Sequence, residues 1–570
     1  MRLPLSALLV LLLTAFGCAS RPAPFDLLLV GGQIVDGAGG DPKLADVGIR
    51  GERIAAIGDL EGSAARRQID VGGLVVTPGF IDTHSHAAEG LISSDRSDAR
   101  ALLLQGVTTV FVNPDGGGPV DLAEQREALQ EHGLGVNVAQ FIGHGSVRRE
   151  ILGMAGRAPT ALELDAMRDL VRRAMGEGAF GLSSGPFYTP GSYAETAELI
   201  ALARVAAEGG GAYASHIRDE SSYTIGLLAA VQEVLDVAEA ADLPSVVTHI
   251  KALGPPVWGK SRDVVALIDE ARARGLEVFA DQYPYLASAT GLRAALVPRW
   301  AQEGGRSAFL ERLDEPKERQ RILEAMAANL RRRGGAERIQ FRRFAPEPSV
   351  EGQTLAKVAE LRSMDPLECA LALILQGPVG IVSFNMQADD VERFMKQPWT
   401  MTASDGSYPP WGEGVPHPRS FGTFPRRLAL YARDRQVLDT AQTVRSMTRL
   451  PALVYGLEER GRLEVGALAD VAVFDLAQLR DRATFTEPYQ LAEGMRFVLV
   501  GGELAVESGQ PSGALAGRVL SLRRSRSTTR RHSLSEKQNN PEKGSAEATL
   551  RSRSAAPRSG QRAIGSPDGR

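Results

Sequence analysis

The stretch Phe80-Ile81-Asp82-Thr83-His84-Ser85-His86 constrains this chain more than any other. In a strand, residues two apart point the same way, so His84 and His86 share one face while Ser85 points opposite. Two neutral imidazoles delivered side by side from an apolar run suit a divalent transition metal. The apolar Leu74-Val75-Val76 followed by Pro78-Gly79 marks a sharp turn before the chain enters a core. A surface strand can carry His-x-His by chance, so the reading depends on partners elsewhere.

Such partners occur downstream, each at the end of an apolar run. The segments 107–112, 136–142, 181–182, 212–214, 245–250, 278–280, 381–384 and 400–402 read as buried parallel strands, and 160–177 and 223–241 between them show helical spacing. With the strand at Phe80 this alternation predicts an α/β fold, a distorted (β/α)8 TIM barrel. In such a barrel the C-terminal ends of the strands line the site. Those ends carry His84, His86, Asp115, His144, His216, His249, Asp281 and Asp405, including five of the chain's eight histidines. A carboxylate such as Asp405 beside a metal-activated water can take its proton and return it to a leaving amine. The alternative for Asp405 is an Asp-Gly turn residue.

Flanking pieces differ from the barrel. Residues 25–79 read as short strands separated by Gly and Asp turns, and a matching piece recurs in 456–520, so the two predict one small discontinuous β-sandwich. The barrel then spans 80–297 and 351–455, with 298–350 as a charged helical insertion over its mouth. At 570 residues, 43% hydrophobic, 24% charged and net charge −4, the composition is that of a soluble globular protein and calls for no nucleic acid.

Both ends stand apart. Arg2 precedes an apolar stretch over 5–16, too short for a stable membrane span and suited to a signal peptide over 1–17. The sequence Ala15-Phe16-Gly17-Cys18 resembles a lipobox, which would make Cys18 a lipidated first residue, membrane contact being through that lipid only. Ordinary cleavage nearby is the alternative, and both predict export, to the periplasm-facing envelope or beyond. Cys369 is the only other cysteine, so no disulfide framework exists. It falls on an apolar pattern as a buried small hydrophobe. Segment 521–570 carries twelve Arg or Lys against four Asp or Glu with few large apolar residues. Such a basic tail is expected to be disordered.

Longer strings carry a resemblance. Tyr213 to Glu220 (Tyr-Ala-Ser-His-Ile-Arg-Asp-Glu), Asp281-Gln282-Tyr283-Pro284-Tyr285, Ser404-Asp405-Gly406, and His417-Pro418-Arg419 followed by Phe421 to Arg426 resemble the N-acyl-D-amino-acid deacylase (D-aminoacylase) family of the amidohydrolase superfamily. Gly106 to Val110, Gly143-His144-Gly145 and Arg460 to Asp470 fit it as well. The resemblance implies zinc-dependent hydrolysis of a small N-acyl-D-amino acid, or of a dipeptide-like amide ending in a D-residue, with one or two zinc ions per chain. It implies that His216 and His249 hold the tighter ion, and that His84, His86 and Asp405 form an adjacent site with Asp405 as base and then acid. Lys251, Tyr283, Ser288 and Arg419 match substrate-binding positions. His144 either orients substrate or bonds backbone, while His132 and His532 fall outside the pattern.

One departure stands out: where the family carries a metal-binding Cys after Gly-Val-Thr-Thr-Val, this chain has Asp115 at or beside the position. A carboxylate is a harder ligand than thiolate; alternatively Asp115 belongs to a Gly-rich turn. Two other functions remain open at this point: a cyclic amide hydrolase of the dihydroorotase or hydantoinase kind, and a non-catalytic binding lipoprotein with a degraded metal site.

Overall fold

A computed structural model describes residues 24–522. The signal segment with Cys18, and the basic tail from 523 onward, lie outside the described residues. The terminal pieces join in one nine-stranded sheet. Strand Val75–Pro78 runs antiparallel to Val471–Phe474, pairing Val75 with Phe474 and Pro78 with Val471, which splices the N-terminal strands to the C-terminal ones. Alternate residues Leu27, Leu29, Val47, Ile49, Val471 and Val473 are buried in a core of their own. Two strands in this sheet, Ala65–Asp70 and Val75–Pro78, pair parallel with Phe25–Ile34.

Between those pieces lie strands that pair only in parallel. Phe80–Asp82, Val107–Val112 and Asn137–Gln140 form one sheet. Ile142–Gly143, Gly181–Ser184, Ala212–Ser215, Ser245–Val247, Val278–Gln282 and Thr400–Thr402 form a second, in that order. Helices make most of the crossovers, as parallel pairing requires. In Ala161–Gly176, Met167, Val171, Ala174 and Met175 are buried at helical spacing. Thr160 caps it, its hydroxyl accepting from Glu163 N–H while the Glu163 carboxylate accepts from Thr160 N–H. The predicted helix over 223–241 forms as Leu227–Ala241. The last parallel strand returns to the first: Asp405 N–H donates to the carbonyl of His84 at 2.8 Å, and Gly406–Ser407 pairs in parallel with Ser85–His86.

One expected barrel strand is not one. Segment 381–384 forms Gly380–Ser383, which pairs antiparallel with Ser288–Gly291 and with Ile339–Arg343. Short apolar runs report burial and say nothing about the direction of the partner. The excursion from the parallel sheets is accordingly longer than 298–350. It includes these three strands and helices such as Pro316–Arg332 and Pro366–Gln376, packed around Phe309, Ile322, Met326, Phe341 and Leu373. Cys369 is buried in that core.

Candidate active site

Five side chains at the strand ends meet around one carboxylate, Asp115. Asp115 Oδ1 lies 3.3 Å from His84 Nε2, 3.4 Å from His216 Nδ1 and 3.3 Å from His249 Nε2, and its Oδ2 lies 3.4 Å from His86 Nε2. Asp405 Oδ1 faces the same first pair, 3.8 Å from His84 Nε2 and 3.3 Å from His86 Nε2. The result is two overlapping donor sets, His84–His86–Asp115–Asp405 and Asp115–His216–His249, each within 4.8 Å. Asp115 belongs to both. His84 and His86 do not share one continuous strand: Phe80–Asp82 ends first and Ser85–His86 pairs separately, yet both rings turn to the same two carboxylates.

Backbone strain aims these groups. Asp115 (φ 57°), His249 (φ 36°) and Asp405 (φ 48°) all lie in the left-handed region, as does Asn113 (φ 64°). Each such residue costs on the order of 1–3 kcal/mol and persists only where its surroundings hold it. Around Asp115 the surroundings are visible. Ser183 Oγ donates to the Asn113 carbonyl at 2.6 Å and accepts from Gly116 N–H at 3.2 Å. Asn113 Nδ2 donates to Gln125 Oε1 at 2.8 Å and to the Phe141 carbonyl at 3.1 Å. At Gly116 (φ 72°) a Cβ would press on the backbone nitrogens of Gly185 and Gly145 at 2.9 and 3.0 Å, so only glycine lets the loop close there.

Buried carboxylates brace the imidazoles from behind. Asp281 accepts from His249 N–H at 2.5 Å and from Thr83 Oγ1 at 3.2 Å, so this strand-end residue anchors backbone and stays out of the donor sets. Asp82 accepts Ser404 N–H at 2.8 Å, tying the first strand to the Asp405 turn. Glu220 Oε1 lies 3.1 Å from His249 Nδ1 and accepts from Lys251 Nζ at 2.5 Å. With His249 Nε2 facing Asp115, its Nδ1 faces both Glu220 Oε1 and Lys251 Nζ, the latter at 2.7 Å, so the Glu220–Lys251 pair orients the ring.

Electrostatics follow from this packing. Burial opposes the charge of Asp115, but His84, His216 and His249 outweigh it and hold the carboxyl well below its usual range. For Asp405 burial is likewise outweighed, by Arg419 and His86. Burial and Lys251 oppose charging of His249, while Glu220 and Asp115 raise it to about 10. His216 is pushed down, by burial first and by His249 beside it. Both ring nitrogens of His84 and of His216 are buried without a hydrogen-bond partner among the described residues. Orphaned imidazole nitrogens facing ionised carboxylates form the donor set a divalent cation takes, and a cation competes with protons for those atoms.

A family model described as the amidohydrolase family matches residues 67–506. D-aminoacylase from Alcaligenes xylosoxydans xylosoxydans is 37% identical over 524 residues, covering 88% of this chain and 98% of the relative. N-acyl-D-glutamate deacylase from the same organism is 37% identical over 517 residues, covering 87% and 96%. A crystal structure of N-acyl-D-glutamate deacylase from Bordetella bronchiseptica, complexed with zinc and a phosphonate inhibitor, superposes with a TM-score of 0.74 at 35% identity, covering 88% of this chain and all of that one. The chain belongs to the amidohydrolase family. Within it the chain falls in the D-aminoacylase branch and is a metal-dependent amidohydrolase of linear amides.

This amidohydrolase opens its donor cluster onto a cavity of about 970 Å³. Lys251, Tyr283, Ser288 and Arg419 all line it. Arg419 Nη1 lies 2.9 Å from Asp405 Oδ2, so one Asp405 oxygen faces the imidazoles and the other the guanidinium. Tyr283 stacks under Arg419, 4.6 Å from its guanidinium carbon, and Ser288 Oγ donates to Asn385 Oδ1 at 3.1 Å. His144 is elsewhere. Its ring is fully buried, Nε2 lies 2.8 Å from Glu198 Oε1, and Glu198 also pairs with Arg148, so it neither lines the cavity nor bonds backbone as expected. A buried carboxylate far along the chain takes its Nε2.

Several residues of this site escaped the sequence reading. Glu220 was visible only as His216-x-x-x-Glu220, a spacing that brings it within 3.9 Å of His216 Nε2. His417 Nδ1 accepts from Arg419 N–H at 3.1 Å and its Nε2 donates to the Ala287 carbonyl at 3.0 Å, which fixes the start of the Arg419 helix. Tyr188 and Phe187 pack on His216 with ring centroids 4.7 and 5.1 Å away. Aromatic side chains in a glycine-rich loop gave no signal of that contact.

Proposed function

We propose that this amidohydrolase uses zinc to hydrolyse N-acyl-D-amino acids to a carboxylate and a free D-amino acid. The observation that carries the reading is the pair of donor sets joined at Asp115. His216 and His249 would hold one ion, His84, His86 and Asp405 the neighbouring position, with Asp115 shared in place of the family's thiolate. Zinc held there would lower the pKa of a water toward about 7 and polarise the amide carbonyl.

The chain's own residues supply the rest. Asp405 is ionised and faces the cluster, so it takes the water's proton and returns it to the leaving amine nitrogen. Arg419, beside it, binds the substrate carboxylate through its planar fork, with Tyr283 and Ser288 at the same wall. Lys251, paired with Glu220, holds His249 and borders that wall. The fold reading that goes with this is a distorted (β/α)8 barrel closed through Ser85–His86 and Gly406–Ser407, with the nine-stranded sheet as the small β-domain.

Metal content of the purified protein and turnover of N-acetyl-D-amino acids against L-controls test the proposal. About one or two zinc ions per chain with D-selective deacylation supports it. A zinc-replete protein inert toward every N-acyl-D-amino acid and D-terminal dipeptide sinks it. The cyclic-amide alternative usually needs a bridging carboxylated lysine; here Asp115 lies between the donor sets, and Lys251 lies behind His249. We further propose export and lipid anchoring at Cys18, on the sequence of residues 1–18 alone. An unmodified Cys18, or an uncleaved N-terminus, in the mass spectrum of the native protein refutes this.

A further inference from the structure

The string Gly143-His144-Gly145 puts a histidine at a strand end that neither the donor sets nor the cavity uses. Its ring is fully buried among charged side chains. His144 and Arg148 stand four residues apart on the helix His144–Leu152, so they share one face. Both reach Glu198 on the helix Thr196–Glu208: His144 Nε2 lies 2.8 Å from Oε1, and Arg148 Nη1 pairs with Oε2. Arg148 Nη2 also donates to the carbonyls of Ala155 and Arg157 beyond the helix end. Buried ion pairs are weak sources of stability, since apolar residues of the same volume often do as well. Their bonds are directional where apolar contact is not. One carboxylate gripped at both oxygens from successive turns fixes how far the helix slides and how it rotates.

What the start of that helix touches is the loop that carries Asp115. Ser146 N–H donates to the Gly116 carbonyl at 3.0 Å, and Ser146 Oγ donates to the Gly118 carbonyl at 2.5 Å. The approach is backbone against backbone. A Cβ at Gly143 would collide with the Gly117 carbonyl, and one at Gly145 would stand 2.9 Å from the Gly116 carbonyl oxygen, so the glycines on either side of His144 let the helix close on the loop. His144 reaches the other neighbour of Asp115 as well. A Cβ at Gly191 would stand 3.6 Å from His144 Nδ1 and 3.0 Å from the Gly185 carbonyl oxygen, and Gly185 in turn abuts the Asp115 carbonyl. Asp115 sits in left-handed backbone (φ 57°), a conformation that its surroundings must hold.

We propose that His144 is a positioning residue: with Glu198 and Arg148 it forms a clamp that holds the Gly116–Gly118 loop, and through it Asp115, in the place metal binding needs. None of the three lines the cavity or belongs to a donor set. The inference rests on the metal-site reading above and adds to it the group that keeps the shared ligand in position. A displaced helix start carries the loop with it, and because Asp115 belongs to both donor sets the loss reaches both.

The test is zinc affinity, measured by competition with a chromophoric chelator, alongside denaturant unfolding of the chelator-treated protein. His144→Leu removes one bond and leaves Glu198 paired with Arg148, so the fold is expected to persist. Its zinc affinity is expected to fall about 10- to 100-fold, the usual cost of losing a group behind a metal ligand. His144→Gln, whose Nε2 can still donate to Glu198, is expected to recover most of that loss. Leu29→Ala, a deletion in the separate core of the terminal sheet, is expected to lower stability and leave zinc affinity within about threefold of wild type. Affinity of His144→Leu within about threefold of wild type overturns the inference and leaves the deacylase reading standing. An equal loss in Leu29→Ala overturns it too, since affinity would then follow stability at large. Should His144→Leu fail to fold, Ser146→Ala, which frees the Gly118 carbonyl, is read in its place: a severalfold loss of affinity supports the clamp, and an unchanged affinity overturns it. A wild type that binds no zinc overturns both readings.

Discussion

Replacing Glu220 by Gln separates the two things its carboxylate does. The substitution keeps size and one acceptor oxygen but removes the charge that receives Lys251 Nζ at 2.5 Å and faces His249 Nδ1 at 3.1 Å. All three side chains are buried. At an effective dielectric of about 20, unit charges 2.5 Å apart attract by roughly 7 kcal/mol. Desolvation of both groups cancels much of that, and leaving one buried charge alone typically costs about 3–5 kcal/mol. The second effect is on the metal. An imidazole ligand that loses the carboxylate behind it holds its ion about 10- to 100-fold less tightly, which is about 1.4–2.7 kcal/mol. Lys251→Met removes the stranded ammonium without restoring the acceptor. Glu220→Gln/Lys251→Met should therefore regain most of the metal-free stability while its zinc affinity stays low. Denaturant unfolding of chelator-treated protein reads the first quantity, and zinc competition against a chromophoric chelator reads the second. Zinc affinity of Glu220→Gln within twofold of wild type would refute the reasoning, since it would leave His249 indifferent to the group bonded to its far nitrogen.

Three further outcomes follow from the site. Asp405→Asn should retain zinc at His216 and His249 by elemental analysis yet lose about 10²- to 10⁴-fold in kcat, the usual contribution of a positioned proton carrier; unchanged turnover would remove Asp405 from the chemistry. Asp115→Ala takes a carboxylate from both donor sets, so zinc stoichiometry should fall, whereas Asp115→Cys, a softer ligand, should bind zinc more tightly than wild type in the same titration. Glu198 is a test of pH: burial opposes its charge, but His144 and Arg148 outweigh it and hold its pKa below the ordinary 4.5. A depressed carboxylate contributes above its unfolded pKa and loses that contribution as pH falls through the folded one. The advantage of chelator-treated wild type over Glu198→Gln, about 3–5 kcal/mol at neutral pH, should shrink as pH drops below 4.5; an advantage that grows toward acid contradicts the pairing.

The residues that could be read from sequence share a property: each follows an apolar run, and the fold carries the end of every such run to one place. His84, His86, His216, His249 and Asp405 are of this kind, and Asp115 stood out because it replaced an expected thiolate. The structure brings all six within two overlapping sets. What escaped was decided by partners far along the chain. His144 ends an apolar run too, but Glu198, 54 residues on, takes its ring into the core. Asp281 sits at a strand end as well, and its carboxylate is spent on the backbone of His249. The run at 381–384 has the burial of a barrel strand and the direction of a hairpin. Periodicity records which positions are buried; it holds no record of which neighbour buries them.

That distinction bears on how the site divides its work. The groups at the donor cluster come from the ends of the parallel strands, and three of them sit in left-handed backbone that only a rigid surround maintains. Arg342, which also lines the cavity, comes from a bulge in the antiparallel strands of the excursion, where adding or removing one residue changes which side chain faces inward. A one-residue change in Ile339–Arg343 therefore changes which side chain lines the cavity, while the hydrogen bonds to Asp82, Glu220 and Asp281 come from other elements. The same change at a strand end would misdirect an imidazole and lose the metal. The cavity wall contributed by the excursion is thus free to vary where the donor cluster is not.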